Sequence, residues 1–229
     1  MSSSAALKLY DRRRSGNCYR VRLMLGFLGL PYERIPINIG GAASVFSGTH
    51  DMPEKDHPSQ GHDDPSKRGE NTQEWFLAKN PRGQIPVLEV EGTCIPDSIA
   101  IIVYLARRFG GESWLPTDPG AMAEIARWLV VSQTDLLYGL ARARGVRQLN
   151  RKGDLAEYQA LGHAGLRVMD ARLSEHQWLA CDRATIADVA CYPYPAQADT
   201  SGVDITAYPA IVRWLKRVEA LPGYLGPLD

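Results

Sequence analysis

The sequence predicts a mixed α/β domain of order β-α-β-α-β-β-α, followed by an all-helical domain. Three observations predict it. The apolar residues up to Gly110 fall into short runs that alternate between strand-like and helix-like spacing. A hairpin signal, Glu91-Gly92, separates two of the strand-like runs. Beyond Gly120 the apolar spacing is helical almost to the end. A chain of 229 residues, 45% hydrophobic and 23% charged, is long and apolar enough for two cores of ordinary size.

The elements follow in order. Leu7, Leu9 and Tyr10 suggest a short first strand, and the polar stretch Asp11 to Asn17 ends it. Val21, Met24, Leu25 and Leu28 recur at helical spacing, and Gly29 closes that helix. Tyr32, Arg34 (through its stem), Ile35 and Ile37 read as a second strand, which Pro36 marks as an edge. The stretch Gly40 to Asn71 contains no Leu, Ile, Trp or Tyr, and reads as a long insertion within the first domain. Thr72 is the expected N-cap of a helix through Trp75 and Phe76, stopped at Asn80-Pro81. Ile85 to Val90 and Thr93 to Ile95 are the hairpin strands. Asp97 or Ser98 caps a helix carrying Ile99, Ile102, Val103 and Ala106. Gly110-Gly111 and Pro116 to Gly120 form a linker, giving domains 1–110 and 119–229. Ile125 to Leu140 then marks one long amphipathic helix and Tyr158 to Leu173 another. Thr185 to Ala190 opens a third, and Ile211 to Val218 forms a fourth.

Charge and cysteine usage narrow the function. Lys plus Arg equals Asp plus Glu at 26 each, which gives no electrostatic case for nucleic acid or an anionic membrane. No apolar run approaches the ~20 residues of a bilayer span. Met1 to Ala6 lacks the basic and apolar regions of an export signal. The four cysteines, Cys18, Cys94, Cys181 and Cys191, are scattered, so reduced thiols in a cytoplasmic protein are expected. His50, His57 and His62 lie among acidic residues, but their spacing matches no metal template and no metal is expected.

Three short segments carry chemistry. Ser15-Gly16-Asn17-Cys18 lies between the first strand and the first helix. A helix N-terminus stabilises an anion, including a thiolate, and a serine hydroxyl there can donate to the sulfur. Simple capping by Ser15 or Asn17 would explain the same residues. In Gln84-Ile85-Pro86-Val87-Leu88, a cis proline would free the preceding backbone groups to pair with a peptide-like ligand. An ordinary trans proline opening an edge strand is the alternative. Asp97-Ser98, at the head of the third helix, can hold an amine and a carboxylate, or merely cap.

In order and spacing these segments resemble the cytosolic glutathione transferase family over nearly the whole chain. Leu9-Tyr10 through Ser15-Gly16-Asn17-Cys18-Tyr19-Arg20-Val21-Arg22-Leu23 is similar to the serine-type bacterial, theta-like and zeta-like members. Asn80-Pro81-Arg82-Gly83-Gln84-Ile85-Pro86 resembles the family's cis-proline segment, and Pro96-Asp97-Ser98 its γ-glutamyl turn. Trp178-Leu179-Ala180-Cys181-Asp182 with Thr185-Ile186-Ala187-Asp188 resembles its helix-capping box, in which Thr185 and Asp188 bond each other's backbone.

The resemblance implies a thioredoxin-like first domain that binds glutathione, and a helical second domain that holds a small apolar electrophile. It implies Ser15 as the thiol-activating hydroxyl, with Asn17 assisting and Tyr10 or Cys18 as alternatives. It places Ile85 and Pro86 against the cysteinyl part, Gln84 at the glycyl or backbone end, and Asp97 and Ser98 on the γ-glutamyl group. Tyr138 and Arg142 are candidates for the electrophile pocket, whereas Trp128, Tyr192 and Tyr194 read as packing residues. Glutathione is a co-substrate with no other cofactor, and a homodimer is expected. Alternative readings are a glutathione-dependent peroxidase, dehalogenase or isomerase, or a non-catalytic ligand- or protein-binding module. The sequence departs from the family at Cys181, where glycine is usual, and in the 40–71 insertion.

Overall fold

The computed structural model describes residues 6–39 and 69–229. Most of the insertion, with His50, His57 and His62, lies outside the described residues. Four strands form the sheet: β1 (Leu7–Asp11), β2 (Glu33–Pro36), β3 (Val87–Val90) and β4 (Thr93–Pro96). Their order is β2-β1-β3-β4, with β1 and β2 parallel and the other pairs antiparallel. Pro36 therefore does fall on an edge strand. Glu91 and Gly92, both at positive φ (51° and 79°), make the hairpin turn between β3 and β4.

Alternation along β1 sorts its residues to two faces. Leu7 and Leu9 join the main apolar core with α1 (Gly16–Phe27) and α3 (Ser98–Leu105). Tyr10 faces the other side, in a small cluster with Phe76 of α2 (Glu74–Leu77), Ile85 and Val87. This is a thioredoxin-like mixed sheet covered on both faces.

Two local expectations change. Thr72 does not cap α2: it ends a 3₁₀ turn, Glu70–Thr72, and its hydroxyl donates to the Gly69 carbonyl at 2.8 Å, so Gln73 becomes the cap. Gly110-Gly111 is not an irregular linker. A π-helical turn, Ala106–Gly110, runs on from α3, and the short helix α4 (Gly111–Trp114) follows it.

The remainder is helical, with no strand among the described residues beyond β4. The long helix expected from Ile125 to Leu140 is present as α5 (Pro119–Val131), a π-helical stretch Ser132–Ala141, and α6 (Arg142–Leu149). Where this helix meets α7 (Leu155–Glu175), the backbones touch. A Cβ on Gly139 would lie 2.3 Å from the Gly162 nitrogen. The third and fourth helices are α8 (Ile186–Cys191) and α10 (Pro209–Glu219), with the short α9 (Ala198–Ser201) between them.

The capping box forms at α8. The Asp188 carboxylate accepts the Thr185 N–H at 3.0 Å, and also bonds the Leu179 N–H (3.1 Å) and the Trp214 indole N–H (2.9 Å). One carboxylate thus ties α8 to α10 and to the Trp178-Leu179 segment. Burial pushes its pKa up to about 6, against the pull of those donors. Cys181, in place of glycine, is half-buried and free, and the box closes beside it.

Candidate active site

The site is assembled at the N-terminus of α1. Ser15 is the N-cap, with extended backbone, and its hydroxyl oxygen accepts the Cys18 N–H at 3.3 Å. Accepting leaves the hydroxyl proton available for donation to an anion. Capping and thiol activation are therefore compatible roles for this side chain.

Gly16 follows because the second domain presses on it. A Cβ here would stand 2.6 Å from the Tyr194 ring. The Tyr194 hydroxyl donates to Asn17 Oδ1 at 3.0 Å. The same oxygen accepts from Arg20 Nη1 at 3.1 Å, so Asn17 is a bridge between the domains. Arg20 is fully buried on α1. Its Nη1 also donates to Ser98 Oγ at 2.7 Å, and its Nε donates to the Ala190 carbonyl at 3.0 Å. Burial pushes the Tyr194 hydroxyl up to about 12, so it stays protonated as the donor.

Asp97 caps α3 at a φ of 74°, with Oδ1 accepting the Ile99 N–H at 2.9 Å. Ser98 is buried beside it, and its hydroxyl proton remains free to donate. The Ile85–Pro86 peptide is cis and both residues are buried. Gln84 is half-buried, and its carbonyl accepts from the Asn80 amide at 2.7 Å. Hydrogen bonds thus join Asn17 to Ser98 through Arg20, with Ser15 two residues away along the same helix start.

The alternative nucleophile and hydroxyl are differently placed. Cys18 is fully buried, and burial, then the Asp11 charge, pushes its thiol up, which suppresses a reactive thiolate. Tyr10 donates its proton to Glu89 at 2.8 Å, and Lys79 lies over its ring at 4.9 Å. Burial raises the Tyr10 pKa as well. The Arg142 guanidinium lies 4.0 Å from the Tyr138 ring centroid and 5.6 Å from that of Tyr158. No described contact joins that group to Ser15, Asn17 or Ser98.

Three residues escaped the sequence reading. Arg20 looked like one polar residue in an apolar helix, and Tyr194 like packing. Arg144, on α6, bonds Gln197 Oε1 at 3.1 Å and feels the charges of Tyr194 and Arg14. Arg151 similarly feels the charge of Arg12. Among the described residues, none of Arg12, Arg14, Arg144 and Arg151 forms an ion pair, although the Asp199 charge lies near Arg144. Only the local spacing Arg12-Arg13-Arg14 hinted at this basic rim.

The described residues thus join a thioredoxin-like sheet to a helical domain, with a serine hydroxyl at the N-terminus of α1. Comparison with known proteins makes this specific. The sequence profile of the glutathione S-transferase N-terminal domain matches residues 9–113, and that of the C-terminal domain matches residues 146–222. A maleylacetoacetate isomerase from Pseudomonas aeruginosa is 30% identical over 224 residues, covering 95% of this chain and 93% of that protein. Glutathione S-transferase GstB from Escherichia coli is 26% identical, with 95% of each chain covered. A solved glutathione S-transferase from Pseudomonas fluorescens superposes with a TM-score of 0.78 at 33% identity, over 98% of this chain and 100% of that one. The chain belongs to the glutathione S-transferase family, and it is a glutathione transferase enzyme.

Proposed function

We propose that Ser15 holds the sulfur of glutathione as a thiolate at the N-terminus of α1, and that this thiolate attacks the second substrate. The observation that carries this reading is the Ser15 cap. Its hydroxyl oxygen accepts the Cys18 N–H at 3.3 Å, which leaves the proton for donation to an anion at the positive end of the helix. Ile85 pairs with the cysteinyl backbone, Gln84 with the glycyl end, and Asp97 and Ser98 with the γ-glutamyl group. In this reading glutathione lies on the unit 1–110 and the second substrate on the unit 119–229. A cytoplasmic homodimer completes the reading, drawn from the family.

Ser15→Ala is expected to lower kcat/KM for conjugation of an aryl halide by about 100-fold, the scale of losing one preorganised donor to a developing or bound anion. A loss below about threefold would remove Ser15 from the chemistry.

The basic rim favours a second reading of the other substrate. Burial and the neighbouring Arg14 charge lower the Arg144 pKa, and an anion bound there would relieve that crowding. An acidic substrate with an activated double bond fits the rim better than an apolar one. Addition of the thiolate, rotation about the resulting single bond and elimination would isomerise it and return glutathione unchanged. The relatives named maleylacetoacetate isomerase agree with this reading. Turnover of maleylacetoacetate exceeding that of a neutral aryl halide supports the acidic substrate, and Arg144→Gln should then raise its KM about tenfold. Equal KM values for the variant and the parent enzyme would remove it.

A further inference from the structure

Arg20 is a buried cation without a buried anion. It is 0% exposed, and its four assigned contacts are neutral: the Ala190 carbonyl, Asn17 Oδ1, Ser98 Oγ and the Tyr194 ring, 5.8 Å away. Its Nη2 has no hydrogen-bond partner among the described residues. Asp97 is the carboxylate whose charge bears on it, but that carboxylate is exposed and spends an oxygen on the Ile99 N–H. A buried guanidinium normally lies against a carboxylate, as Arg22 does with Asp11 in this same helix, at 2.8 Å. Arg20 departs from that pattern at the one place where two glutathione-site side chains converge.

We infer that Arg20 is the positioning residue of the glutathione site, and that the carboxylate of the γ-glutamyl head group is its missing counter-charge, reached through Ser98. This rests on the γ-glutamyl group lying at the Asp97-Ser98 turn. Arg20 Nη1 occupies a lone pair of Ser98 Oγ, which fixes the hydroxyl so that its proton points away from the guanidinium, toward the ligand. The donated N–H also polarises that hydroxyl and strengthens its bond to an anion. In the buried setting the guanidinium charge acts on the carboxylate at short range with little screening. The same Nη1 bonds Asn17, so occupation of the head-group subsite is felt at the start of α1, and through Tyr194 in the second domain.

The test compares glutathione with an analogue amidated at the γ-glutamyl carboxylate. The wild-type enzyme should prefer glutathione, in KM, by about tenfold or more, the scale of a charge-assisted contact. In Arg20→Gln that preference should fall by about tenfold, with the thiol pKa of the bound tripeptide shifted far less. A folded Arg20→Gln enzyme that keeps the full wild-type preference overturns the inference. Should that variant fail to fold, Asn17→Asp supplies an internal counter-charge while keeping the acceptor that Arg20 and Tyr194 use. It should lower the preference by a similar factor, and an unchanged preference there also overturns the inference. Failure of the Ser15 reading looks different: the thiol pKa would ignore Ser15→Ala while the head-group preference still followed Arg20.

Discussion

Gly16 is a position where a methyl group too many would reach from one domain into the other. Its Cβ would meet Tyr194 Cε1 at 2.6 Å, and the ring cannot retreat without loosening the hydroxyl bond to Asn17. Gly16→Ala should therefore cost ~1–3 kcal/mol and raise the glutathione KM, as seen by urea unfolding and steady-state kinetics. Glu89 gives a pH signature. The Lys79 hydrogen bond, then that of Tyr10, lowers its carboxyl to about 2 from the ordinary 4.5. A depressed carboxylate stabilises the fold above the ordinary value and loses that contribution as pH falls toward the folded one. The stability lost between about pH 4.5 and 2 should be smaller in Glu89→Gln, measured as the melting temperature across that window. At this scale the sequence was partly legible. Ser15 and Asp97 announced themselves as caps, because capping needs only local spacing. Arg20 and Tyr194 did not, because their roles arise from partners 78 and 177 residues away.

Among the elements, α8 depends most on a single side chain. Thr185→Ala removes a cap and should cost ~1 kcal/mol. Asp188→Ala leaves the Trp214 indole and the Thr185 and Leu179 N–H groups unpaired at once, and should cost ~3 kcal/mol or more. Equal costs for the two, by chemical denaturation, would mean that Asp188 acts only as a cap. The box was readable because Thr185 and Asp188 stand three apart before an apolar run. The two bonds that cross to other segments were not. The same contrast holds at α2. Thr72 has the right residue type for an N-cap, but its hydroxyl bonds back to Gly69 and closes a 3₁₀ turn, which shifts the cap to Gln73. The π-helical stretch Ser132–Ala141 left no mark on the apolar spacing, since Leu136 and Leu140 keep the buried face.

Over the whole molecule, the two domains meet beside the proposed site at the start of α1. Arg20 and Asn17 on α1 bond Ala190 and Tyr194 of the helical domain. Arg22 reaches the Pro227 carbonyl at 2.8 Å from the same helix. One helix thus carries the core of the first domain, the seam between the domains and the start of the proposed glutathione site. The order of strands and helices was legible from periodicity, because each face of each element is buried or exposed by its own pattern. The seam was not, because it is built from polar residues that any surface helix could carry. The basic rim was equally hidden: Arg12 and Arg14 stand far in sequence from Arg144 and Arg151, and the overall charge is zero. The measurement that bears most directly on the account is the thiol pKa of enzyme-bound glutathione, titrated through its thiolate absorbance. In the wild-type enzyme it should lie well below that of free glutathione, and Ser15→Ala should return it most of the way, while Tyr10→Phe and Cys18→Ala leave it in place. A bound thiol that titrates like the free one, or a lowered pKa that survives in Ser15→Ala, would contradict the account.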